Sequence, residues 1–239
     1  MMEKPTVKEC VQALQSDRLI TLIIGNSQAA MSVQVQQSVL EAVSPWFQKA
    51  LRDQVFVEGQ TGKILFPEDD PASWEIFLYW LLRREIPRPG IATSHEEDLI
   101  SLAKCWILGD KYGITKFQDE VMLFYLHIVD VHCVELAPEQ CKELTKITPP
   151  GSKLMKLLSE ESARFCEQNG LTSDGIATLD GVPGFWPNFV EAQQKMKKHS
   201  DQFTSRMKGV GSTTCDEAHW SDYMAGDLPD FAEFIEDRG

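Results

Sequence analysis

The stretch LAKCWILGDKYGITKFQDEVM, residues 102–122, constrains the fold more than any other part of the chain. Leu99, Leu102, Ala103, Trp106 and Ile107 recur at helical spacing, one apolar stripe on a helix that starts near Glu97. Lys111 falls in the last turn of that helix, where a cation suits the dipole. Gly113 fits the position just past its end, where glycine takes a left-handed backbone freely. Thr115 and Gln118 have the spacing of a T-x-x-Q capping box for the next helix, whose buried side continues through Val121, Tyr125 and Ile128. The two glycines around Asp110, Lys111 and Tyr112 also invite a phosphate-loop reading. Such a loop needs its glycines after a strand and before a helix, and here they lie between two helices. The corner reading is preferred.

The segments before this corner alternate in type. Val7, Cys10, Val11 and Leu14 make one stripe on a short N-terminal helix. ITLIIG (20–25) reads as a buried strand and VQVQ (33–36) as a half-buried partner, consistent with a hairpin. Ser44 is predicted to cap a helix that opens on Pro45 and lines one face with Trp46, Phe47, Ala50 and Leu51. KILF, Lys63–Phe66, is a further short strand. Asp70 and Pro71 then start a helix with the stripe Trp74, Phe77, Leu78, Leu81 and Leu82, which REIPRPG breaks. Strands that are short and segregated from the helices point to an α+β fold, a helical cluster flanked by short β-strands, rather than a doubly wound sheet.

Charge and cysteine usage narrow the function. The net charge of −13 repels phosphate backbones, which argues against nucleic acid as a partner. No apolar run reaches the length of a membrane span. MMEKPTVKEC has no apolar signal core, and the six cysteines form no CxxC pair; both point to an intracellular protein with reduced thiols, cytoplasmic or nuclear. The acidity is uneven. Residues 215–239 carry eight acidic residues against one arginine, and residues 191–208 carry five basic residues against two acidic ones. Such blocks suit an appended tail.

Four segments together carry a resemblance: ITLIIG, VQVQQSVLEAVSPWFQKAL, KILFPEDDPASWEIFLYWLLRREI and LISLAKCWILGDKYGITKFQDEVM. In order and spacing they resemble the BTB/POZ domain, in the form common in filamentous fungi, over about residues 16–130. ITPPGSKLMKLL (147–158) is similar to the segment that follows many such domains. The resemblance implies a non-enzymatic protein–protein interaction module, without cofactor or metal. It implies a homodimer formed through the N-terminal helix and first strands, with Val7, Cys10, Val11 and Leu14 as interface candidates. It also implies a substrate adaptor that binds the cullin scaffold of a ubiquitin ligase through a hydrophobic–x–Glu motif, for which Phe56 and Glu58 are the candidates. Two features depart from the family. Leu19 (or Asp17) and Gln36 stand where zinc-finger-type members carry an Asp and a His, and Leu82-Arg83-Arg84 replaces a Y-T-G turn.

The expected organisation is a BTB/POZ domain over 1–130, a helical extension over 131–169, a turn-rich linker or loop over 170–188, a basic amphipathic helix over 189–208 and an acidic–aromatic tail over 209–239. The extension is thus mainly helical. Phe189, Met196 and Phe203 recur every seven residues on the basic helix, and the nearby acidic tail is the simplest partner for Lys195, Lys197 and Lys198. In the tail, Trp220, Phe231, Phe234 and Ile235 are docking candidates, which makes a transcriptional co-regulator the alternative function. The rival reading of the tail is that it docks on its own BTB domain or stays disordered. His127, His132, Cys133 and Cys141 have poor zinc spacing and read as structural residues. The carboxylates Glu68, Asp69 and Asp70 precede Pro71 and read as helix-capping groups, and Trp46, Trp74 and Trp106 as packing residues. No nucleophile elbow or oxyanion loop is present, so catalysis is not expected.

Overall fold

The structure is a computed structural model that describes residues 8, 16–26, 30–52, 56–87, 94–132, 138–170, 177–198 and 217–229. It is mixed α+β, with one small sheet and mostly helix. The described residues divide into two compact units, one drawn from Met1–Glu85 and Asp110–Ile114, the other from Ile86–Gly109 and Thr115–Gly239.

The first unit holds the sheet. Strand β1 (Leu19–Ile24) pairs antiparallel with β2 (Met31–Gln36) and parallel with β3 (Lys63–Phe66), giving the order β2-β1-β3. The expected hairpin is therefore present. Ile20, Leu22 and Ile24 point inward with Ile64 and Phe66, while Leu19 and Leu65 stay exposed on the alternate positions. Reaching β3 in parallel requires a crossover, made by three short helices: α1 (Gln37–Val43), α2 (Pro45–Ala50) and α3 (Val57–Thr61). The N-terminus of α1 is held from outside the helix. The Asp17 carboxylate accepts from the Ser38 amide at 3.1 Å and from its hydroxyl. Asp17 thus serves as a cap.

Helix α4 (Pro71–Arg83) starts as expected, with Asp70 accepting from the Ser73 amide at 3.2 Å and Pro71 in the first turn. Its buried face is Trp74, Phe77, Trp80 and Leu81, and Leu82 is 80% exposed. The stripe was read one position too far, because Trp80 takes the inward place. The turn after α4 closes on Arg84 in left-handed conformation (φ 62°), its amide bonded to the Trp80 carbonyl at 2.7 Å and its guanidinium over the Trp80 ring.

The second unit contains most of α5 (His95–Tyr112), then α6 (Thr115–His132), α7 (Pro138–Ile147), α8 (Lys153–Asn169), α9 (Phe185–Lys198) and a 3-10 helix, Glu217–Tyr223. In α6 nearly every residue from Phe117 to Val129 is buried, polar Gln118 and Asp119 included, which is more than the one side expected. Helix α6 starts at Thr115, the residue expected to cap it, and Gln118 is buried. Helix α8 packs on α9. The segment expected as a linker, 170–188, also needs correction. Helix α9 begins at Phe185, and Leu179, Val182 and Phe185 are core residues. Their spacing of three is an apolar stripe that the surrounding glycines and prolines disguise. Phe189 is buried as well, while the Met196 side chain and Phe203 lie outside the described residues.

Candidate protein-docking site

The opening corner shows how the first unit is fastened. Gly113 has φ 63°, and a β-carbon there would meet nothing closer than Pro45 Cδ at 3.9 Å, so the backbone angle alone requires glycine. Tyr112, the last residue of α5, is met by two groups. The buried Ser44 hydroxyl donates to its carbonyl at 2.5 Å and accepts from the Trp46 and Phe47 amides at 3.1 and 3.2 Å. One side chain therefore caps the start of α2 and the end of α5. Asp69 receives the rest: Trp74 Nε1 at 2.9 Å, Tyr112 Oη at 2.5 Å and Lys111 Nζ at 2.7 Å. Rings of Trp46, Phe47, Phe66 and Trp74 surround Tyr112 at centroid distances of 5.0 to 6.2 Å. Burial, followed by the hydrogen bond and charge of Asp69, pushes the Tyr112 phenol far above its ordinary range. This network is a fastening, and its hub escaped the sequence reading, which placed Asp69 among the capping carboxylates.

Phe56 and Glu58 sit on α3. Phe56 precedes the helix in extended conformation and is 50% exposed; Val57 is 69% exposed, and Glu58 is half-buried in the first turn. Phe56 is therefore not a core residue. Its platform is nevertheless held firmly. A β-carbon on Gly59 would lie 2.8 Å from the Arg52 carbonyl oxygen, so α3 seats its bare backbone against the end of α2. Arg18 donates to the carbonyls of Gly59 and, at 2.9 Å, Gln60, satisfying acceptors at the helix end. Gly62 then leaves the helix at φ 67°, under the same guanidinium. Two adjacent exposed apolar side chains beside a carboxylate, on a turn pinned from two directions, suit a partner groove better than solvent.

The dimer candidates Val7, Cys10, Val11 and Leu14 lie outside the described residues, as do Phe231, Phe234 and Ile235. Trp220 is described, and it is only 1% exposed. It packs within its own chain, in the second unit, together with Tyr223 and Met224. At that position the tail packs on helices of its own chain.

Among the described residues no group of His, Cys, Asp and Glu side chains is arranged to hold a metal ion. Cys141 is buried, and the side chains of His132 and Cys133 lie outside the described residues. Burial pushes the Cys166 thiol up, the opposite of what a nucleophile needs at neutral pH. Among the described residues no helix is long and apolar enough to cross a membrane. Comparison with protein-family models and with curated proteins gives no match.

Proposed function

We propose that this chain is a non-enzymatic protein-interaction module of the BTB/POZ type, which self-associates and docks a cullin scaffold as a ubiquitin-ligase adaptor. The observation that carries the reading is the exposed pair Phe56 and Val57 beside Glu58, on a helix whose backbone is pinned by Arg18 and by the close approach of Gly59. The element order also supports it: two antiparallel strands, three short helices, a parallel third strand, then helices meeting at the Gly113 corner. Apolar anchors on preformed turns bind with little ordering cost, which is how short motifs reach useful affinity.

Phe56→Ala combined with Glu58→Lys is expected to abolish co-purification of a cullin from a cell extract while the melting temperature stays within a few degrees of wild type. Both side chains are solvent-facing or half-buried, so fold stability changes little. Self-association rests on the sequence stripe Val7, Cys10, Val11 and Leu14, and Leu19 and Leu65 on the sheet are exposed apolar residues. Val7→Asp with Leu14→Asp is expected to reduce the light-scattering mass from dimer to monomer. An unchanged mass would remove self-association from the proposal.

A further inference from the structure

The second unit carries a built recognition site that the adaptor reading does not use. Residues 217–229 of the tail lie on α6 and α8. Trp220, Tyr223 and Met224 are buried there, each no more than 4% exposed. The Tyr223 hydroxyl donates to Glu160 on α8. The next two residues are read through their backbone: the amides of Ala225 and Gly226 donate to the two oxygens of Asp119 on α6, at 2.6 and 2.9 Å. The approach at Gly226 is close: a β-carbon would lie 3.0 Å from Asp119 Oδ2 and 3.0 Å from Thr115 Cγ2.

Charge follows the same division. The segment 217–227 carries Glu217, Asp222 and Asp227. The surface below it presents Lys153, whose Nζ donates to the Asp222 carbonyl at 2.8 Å, and Lys156, whose Nζ lies 5.0 Å from the Tyr223 ring centroid. Lys195 on α9, which pairs with Glu191 at 2.8 Å, also feels the charge of Asp222. Aromatic anchors, paired amides on a carboxylate and a rim that carries lysines are means by which folded proteins bind short peptides.

We propose that this α6–α8 surface is a docking site for an acidic, aromatic peptide, and that residues 217–227 occupy it as an exchangeable internal ligand. Eighteen residues, 199–216, join the segment to α9 in sequence. A tether of this length holds its ligand at an effective concentration on the order of millimolar. A peptide that binds the emptied site at about 10 μM would then find it closed about 99% of the time. Removing the segment strips Asp119 and Glu160 of these donors, so a peptide that restores them is favoured over water.

The test uses the full-length chain and a fluorescent peptide of residues 217–229, followed by anisotropy. Trp220→Ala with Tyr223→Ala opens the site by removing both anchors. Gly226→Val opens it separately, by collision with Asp119, and serves where the first variant loses its helical circular dichroism. Either opened chain is expected to bind the peptide about 100-fold more tightly than wild type, whose site is filled. Adding Asp119→Ala to an opened chain is expected to weaken that binding at least about tenfold. The proposal is overturned if the opened chains bind no more tightly than wild type, or if Asp119→Ala leaves peptide binding unchanged.

Discussion

Asp69→Ala is expected to remove about 3–5 kcal/mol of stability, measured by urea unfolding at neutral pH. The carboxylate accepts from Trp74 Nε1, Tyr112 Oη and Lys111 Nζ, and alanine leaves all three donors without it. The first two are the costly ones, because their rings are buried and water cannot replace the lost acceptor. The Lys111 contact contributes less, since that side chain is half exposed and its pairing is screened. A loss of this size is a large fraction of the roughly 5–15 kcal/mol that holds a typical protein folded. A loss under about 1 kcal/mol would mean that Asp69 is not the hub described. The same network has a signature at high pH. The Tyr112 phenol is raised in the folded state, so it contributes stability that is fully present below its ordinary value near pH 10 and is lost as pH rises through the folded value. Wild type should therefore lose stability above about pH 10 more steeply than Tyr112→Phe, which has no phenol to ionise on unfolding.

Gly109→Ala offers a test in which the sign decides. Gly109 lies inside α5, and helix propensity alone makes alanine there more stable by about 1 kcal/mol. The packing says the reverse. A β-carbon at Gly109 would lie 2.9 Å from Gln118 Cβ and 3.2 Å from Gln118 Cα on α6, both close to or part of a helix backbone. Room can be made only by moving α5 and α6 apart, at a cost of about 1–3 kcal/mol that exceeds the propensity gain over most of that range. Net destabilisation is expected for alanine and a larger one for Gly109→Val, whose branched side chain adds two methyl groups to the collision. A stabilised alanine variant would contradict the close approach. The two glycines of the corner thus have different reasons: Gly109 leaves room for a neighbouring backbone, and Gly113 turns through a left-handed angle.

Much of the framework was readable from local chemistry. Ser44 with Pro45 and Asp70 with Pro71 announce helix starts because a cap and a missing amide act within a few residues. The β-branched run ITLIIG and the alternation of VQVQ likewise placed two strands from local pattern. What escaped depends on contacts distant in sequence. Asp69 and Tyr112 are separated by 43 positions, and Asp119 and Ala225 by 106, so no spacing rule joins them. Helix α8 falls in the segment expected to be helical, and its polar SEESAR run, residues 159–164, is buried. Glu160 meets Tyr223, and Glu161 pairs with Arg164. Burial of charges becomes visible only when the partners are in place. At the candidate site, sequence supplied the motif at Phe56 and Glu58, and the structure supplied its exposure and the means by which Arg18 and Gly59 hold it.

The adaptor reading is tested most directly by titrating the purified full-length chain with a purified cullin in a calorimeter, alongside Phe56→Ala/Glu58→Lys. The expected result is saturable binding for wild type and a loss of at least tenfold in affinity for the double variant, with both proteins equally folded by circular dichroism. Wild type that binds no cullin, or a double variant that binds as tightly as wild type, would contradict the assignment of the α3 surface.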